Sequence, residues 1–200
     1  MSEFTTYLQL GFHHIADIGA WDHILFVAAL TAAYGVHEWK RIAVLVTAFT
    51  LGHSTTLALA TLNIVTVSSR VVEPLIAATI VFMAFAAIRD QLVPASDAAR
   101  VSAMRRRYAT ASIFGLIHGL GFASGLRALL GTESSITIPL FAFNVGLEVG
   151  QVLIVSIFFA LGLVADRWLG VRRRDWVLIL AGAAAGIGLT LLIERLRSAA

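Results

Sequence analysis

The chain alternates long apolar runs with short polar breaks, and the few polar positions inside the runs are sharply placed. The runs fall at residues 21–35, 42–65, 71–88, 108–130, 136–165 and 176–193. A bilayer-crossing helix needs roughly 20 apolar residues to pass about 30 Å of hydrocarbon. The first run is short for this unless the segment before it dips in alongside. That segment, residues 3–18, predicts a short amphipathic or re-entrant helix, too polar to span alone. Pro74 falls near the start of the third run, where a first-turn proline is tolerated. Residues 89–107 predict a polar loop. The pattern as a whole predicts an all-α fold, a polytopic transmembrane helix bundle of about six spans, with residues 1–200 as one integral membrane domain.

Composition agrees. Hydrophobic residues make up 58% and charged residues 14%, with a mean hydropathy of +0.86, far from the usual globular balance. The N-terminus MSEFTTYLQL has neither the basic start nor the small-residue cleavage site of a signal peptide. A net charge of +3 and a pI near 9.9 raise the question of nucleic acid. The arginines sit between apolar runs, however, so they report topology rather than a nucleic-acid patch.

The positive-inside rule orients the bundle. With the 89–107 loop in the cytoplasm and six spans alternating from it, eleven of the fifteen Lys and Arg residues fall inside. These are Lys40, Arg41, Arg89, Arg100, Arg105, Arg106, Arg107, Arg167, Arg172, Arg173 and Arg174, against Arg70, Arg127, Arg195 and Arg197 outside. Tyr34, Trp39, Tyr108, Trp168 and Trp176 then line the cytoplasmic interface as an aromatic belt. Both termini are expected outside.

This topology gives the chemistry-bearing residues a common depth. His13, His14, Asp17, Asp22 and His23 lie within eleven residues, just before and at the mouth of the first run. If the segment around His13 is helical, Asp17 lies one turn on from both His13 and His14. Gly19 offers a break. His53 and His118 fall near the middle of the second and fourth runs, Glu73 begins the third, and Glu148 lies about three turns into the fifth. Asn144, Glu148 and Gln151 follow i, i+4, i+7 spacing, a single polar stripe on an apolar cylinder. His37 sits in a basic loop and reads as solvated.

Ionisable groups inside a membrane are costly and usually mark a function. Imidazole and carboxylate together suit a divalent ion such as nickel, cobalt, zinc or iron. With no cysteine and only three methionines, a soft copper(I) site is not expected. Gly115/Gly119, Gly121/Gly125, Gly146/Gly150 and Gly182/Gly186 are small-xxx-small pairs that let helices approach closely. Nothing fixes the oligomeric state, though the sixth run, with its Gly182/Gly186 face, offers a contact surface for a second copy.

Several of these stretches also occur together in a known pattern. They are His14-Ile-Ala-Asp, Trp21-Asp-His-Ile-Leu-Phe26, Phe49-Thr-Leu-Gly-His-Ser-Thr-Thr-Leu57, Glu73-Pro-Leu-Ile-Ala, Phe114-Gly-Leu-Ile-His-Gly-Leu-Gly-Phe122 and Phe143-Asn-Val-Gly-Leu-Glu-Val-Gly-Gln151. Over nearly its whole length the chain resembles the HupE/UreJ family of small bacterial membrane proteins. That resemblance implies the cytoplasmic (inner) membrane of a bacterium, a link to hydrogenase or urease maturation, and metalloenzyme maturation factors as partners. Members are described as nickel or cobalt permeases or metal-supply factors. The spacing from His14 to Asp22 is longer than the compact His-Pro-x-x-Gly-x-Asp-His form of the hydrogenase-linked members.

The expected function is therefore a divalent-metal-binding membrane protein, a permease or supply factor. His13, His14, Asp17, Asp22 and His23 would capture the ion near the outer face, with Glu73 among the ligands. His53, His118 and Glu148 would form the deeper site, with Asn144 and Gln151 supporting it. The rival expectation is an intramembrane metal-dependent enzyme, in which zinc or iron activates water.

Overall fold

The computed structural model describes residues 2–19, 21–93, 97–130 and 136–199; the side chains of residues 97–103, Arg100 among them, lie outside the description. Eight α-helices follow in order: α1 (Glu3–Ala16), α2 (Trp21–Thr31), α3 (Trp39–Thr61), α4 (Ser69–Leu92), α5 (Asp97–Gly121), α6 (Ala123–Leu130), α7 (Thr137–Leu169) and α8 (Arg173–Ala199). A 3₁₀ turn at Val36–Glu38 leads into α3. No strand is present among the described residues. Among the described residues four helices are each long and apolar enough to cross a membrane: α3, α4, α7 and α8. The bent pair of α5 from Met104 with α6, turned by 50° at Gly121–Phe122, qualifies as a fifth. This is a multi-pass helical membrane bundle.

Several boundaries differ from expectation for local reasons. The side chain of Ser68 accepts a hydrogen bond from the Arg70 amide and starts α4 early, so Pro74 sits in the helix's second turn rather than its first. The expected polar loop at 89–107 is largely helical: α4 runs on to Leu92 and α5 begins at Asp97. That segment is rich in Ala and Arg, both strong helix formers. The first apolar run is helical only over Trp21–Thr31, 11 residues, or about 16 Å at 1.5 Å per residue. Alone it does not cross. Gly170, at φ +65°, ends α7 with the Val171 amide on the Ala165 carbonyl, a left-handed cap that glycine adopts without strain.

Glycine contacts fix how the helices pair. On α3 and α5, a Cβ added to Gly52 would overlap the Ser112 carbonyl, and one added to Gly115 or Gly119 would overlap the carbonyls of Phe49 or His53. The two helices therefore run parallel with their backbones in contact. A Cβ on Gly11 would overlap the Phe143 carbonyl, one on Gly146 the Leu8 carbonyl, and one on Gly150 the Ile15 side chain. So α1 packs lengthwise along α7, parallel to it. Helices α4 and α8 are antiparallel, with Gly188 against Ile80 and Arg195 bonded to Glu73. Gly115/Gly119 and Gly146/Gly150 thus act as expected. Gly121 meets only the Ile76 and Val72 side chains, Gly125 only the ring of Phe122, and Gly182 and Gly186 face open space.

The ends of the bundle follow from these directions. Tyr34 contacts Met104 and Arg107, Arg107 pairs with Asp90, and Arg173 reaches the Ala33 carbonyl and Glu38. One end therefore collects the basic residues and the aromatic belt. At the opposite end Phe4 meets Phe141 at the start of α7, and Arg195 meets Glu73 at the start of α4. Both described termini lie at that end. Helix α2 runs the same way as α1, toward the basic end, and is a short apolar helix. The break between the two is closed by Asp17, whose carboxylate accepts the Gly19 amide at 2.7 Å. Leu51, Phe82, Phe85, Val152, Leu161 and Ile179 are among the many large apolar residues left exposed on the outer helix faces, as a lipid-bathed surface requires.

Candidate metal centre

The break between α1 and α2 is where the imidazoles meet. The α1–α7 contact turns His14 inward, and α2 begins with His23 at the same depth. Their ring centroids are 4.7 Å apart. His53, on α3, lies 5.9 Å from His14 and 6.0 Å from His23. One ligand nitrogen from each of His14, His23 and His53 lies within 4.8 Å of the others, a spread that one ion can draw together. Their depth follows from the helix rise. His53 is about 21 Å along α3 from Trp39 at the basic end, at 1.5 Å per residue. His118, on the parallel α5, is level with the His53–Thr56 turn of α3, since Gly115 meets the Phe49 carbonyl and Gly119 the His53 carbonyl. Its ring is 5.0 Å from that of His23.

Packing closes the site with aromatic rings. His14 lies 4.1 Å from Phe122, which stacks on Phe143. Phe143 in turn stacks against His53. Phe26 and Phe49 flank His118 at 4.9 and 5.2 Å. His53 and His118 are buried almost completely, at 0% and 1% exposure, and His23 at 5%.

The hydrogen-bond count is the unusual feature. His14 Nε2, both nitrogens of His23, both nitrogens of His53 and His118 Nδ1 are buried without a partner. Buried polar groups are ordinarily paired, and an unpaired one costs about 1–3 kcal/mol. A cluster of such atoms is disfavoured as simple helix glue. As a ligand set for a borderline-soft divalent ion it is well suited: imidazole nitrogens without partners, walled by phenylalanine rings.

The other expected residues are not in this group. His13, next to His14 but about 100° round the helix, is exposed, and Asp17 is exposed and tied to the Gly19 turn. Asp22, Glu73 and Arg195 line a small void with Ile76, Ala77 and Leu191, at the end away from the basic residues. Arg195 holds Glu73 there at 2.8 Å. On α7 the polar stripe faces α3. Gln151 accepts from Thr50 at 2.9 Å, and Asn144 meets Ser54. Glu148 lies between these two bridges, partly buried. A cavity of about 300 Å³ between α2, α7 and α8 lies near the basic end, lined by Phe158, Phe159, Gly162, Trp176 and Arg173 among others. It is separate from the imidazoles.

Sequence reasoning missed Thr79, whose hydroxyl meets His118 Nε2 at 2.9 Å, and it missed the phenylalanine wall. A threonine in the middle of an apolar run is the only signal that pointed to the former.

Compared with known proteins, the chain matches a family model described as HupE / UreJ protein over residues 1–195. The chain belongs to the HupE/UreJ family. No curated protein and no solved structure matches it. Membership in HupE/UreJ implies a membrane role related to nickel or cobalt, as an accessory or transport protein. Among the described residues of this HupE/UreJ chain, His14, His23 and His53 form a group that could hold a metal ion.

Proposed function

We propose that the chain is a permease for a divalent ion of the nickel or cobalt type, with the ion as its cargo. The observation that carries this is the convergence of His14, His23 and His53, with buried unpartnered nitrogens, at the break between α1 and α2. Discontinuous membrane helices serve transporters as ion sites because the break frees groups at mid-membrane. Three neutral imidazoles leave coordination positions open, so binding stays weak enough for release. Asp22 supplies negative charge on the approach from the far end, beside the Glu73–Arg195 pair. His118, beside His23, receives the ion next, and Glu148, with Asn144 and Gln151, offers a polar seam beside α3. The whole chain acts as one membrane domain, in the cytoplasmic membrane of a bacterium. Its basic end faces the cytoplasm, where metalloenzyme maturation factors would collect the ion.

Reconstituted vesicles test this with radioactive cobalt. His23→Ala and His53→Ala should each abolish uptake at unchanged protein level. Normal uptake in both would sink the proposal. A second reading rests on the same trio, since three histidines with an open fourth position also make a catalytic zinc site. Metal retained through purification against a chelator would favour that enzyme.

A further inference from the structure

Thr79, on α4, is buried and its hydroxyl makes two contacts, to the Ile76 carbonyl at 2.7 Å and to His118 Nε2 at 2.9 Å. A hydroxyl has one proton, and a carbonyl can only accept. Both contacts are hydrogen bonds at once only if Thr79 donates to Ile76 and accepts from His118. His118 therefore carries its proton on Nε2. Its Nδ1 keeps the lone pair, and that atom is buried with no partner. Beside it stands His23, with both nitrogens unpartnered. A neutral His23 has one lone pair, so it serves the His14–His53 side or, with its proton on the other nitrogen, the His118 side.

We propose that Thr79 is a positioning residue, which sets the tautomer of His118 so that Nδ1 forms a second station for the divalent ion, with His23 shared between the two. The inference rests on the metal reading above and adds how the ion leaves the trio. A bond from an outer partner commonly fixes which imidazole nitrogen is free for a metal. Here the partner's own proton is held by a backbone carbonyl, so Thr79 cannot reverse roles without breaking a bond.

The test uses the full chain labelled with ¹⁵N-histidine, with cobalt(II) as probe. Wild type should show His118 as a single Nε2–H tautomer without metal. Thr79→Val should lose that single tautomer and should cut cobalt uptake by roughly 10- to 100-fold, the usual cost of removing such a partner. Cobalt affinity at the trio should stay unchanged, and Thr79→Ser should restore tautomer and uptake together. A Thr79→Val protein with wild-type tautomer and uptake overturns the inference. So does an Nδ1–H or mixed tautomer in a wild type that binds cobalt normally. A wild type that binds no cobalt removes the metal reading itself, and the station with it.

Discussion

Replacing His53 by leucine should make the metal-free protein more stable while ending its ability to bind metal. His53 is fully buried and neither ring nitrogen has a partner. A neutral imidazole has one donor and one acceptor, and each buried unpaired group costs about 1–3 kcal/mol, a gross penalty of roughly 2–6 kcal/mol. Leucine has similar bulk but a different shape, and a swap of that kind returns up to about 1.5 kcal/mol in strain or voids. The net expectation for His53→Leu is a gain of roughly 0.5–6 kcal/mol over wild type. The assay is the unfolding midpoint in mild detergent with chelator, repeated with cobalt(II). Wild type should rise with cobalt, by about 2.7 kcal/mol at a hundred times the dissociation constant. The variant should not respond. A His53→Leu protein less stable than wild type in chelator, beside a wild type indifferent to cobalt, would show His53 to be an ordinary core residue and refute the reasoning.

Other expectations follow from the packing and the topology. Gly115→Ala pushes a methyl group into the Phe49 carbonyl; it should cost about 1–3 kcal/mol and separate His53 from His118, whereas Gly182→Ala, in open space, should shift the midpoint by less than about 0.5 kcal/mol. Glu148→Gln should lower cobalt flux in vesicles roughly tenfold, as removal of a supporting group does, with affinity at the imidazoles kept; unchanged flux would remove Glu148 from the path. The chain has no cysteine, so single cysteines at Ser2, Arg174 and Ser198 report sidedness directly. Impermeant maleimide applied outside intact cells should label the first and last and spare the middle one; the reverse pattern would invert the orientation.

Much of the fold was legible because hydropathy and charge are summed over long windows. The apolar runs and the segregation of arginine to one end depend on no single contact. The depth of His53, His118 and the segment around His14 and His23 followed from the same count. Rotation did not. His13 and His14 are neighbours on one helix, and nothing local favours either. The choice is made by Gly11, Gly146 and Gly150, which press one face of α1 onto α7 and carry His14 inward. Asp17 was expected beside the histidines from helical spacing, but the helix stops at Ala16 and the carboxylate caps the turn instead. Glu73 lay at the right depth and is held by Arg195, 122 positions along the chain, a partner no local pattern shows. Thr79 escaped notice because one threonine in an apolar run is unremarkable until His118 is placed against it.

The central claim is that one divalent ion is held by the imidazoles of His14, His23 and His53. X-ray absorption spectroscopy of the cobalt-loaded protein at one equivalent tests it most directly, because imidazole rings give a distinct multiple-scattering pattern. The account predicts three histidines at about 2.0–2.1 Å, the usual metal–imidazole distance, and no histidine-bound cobalt in His53→Leu. A first shell of oxygen alone, unchanged by that substitution, would contradict it.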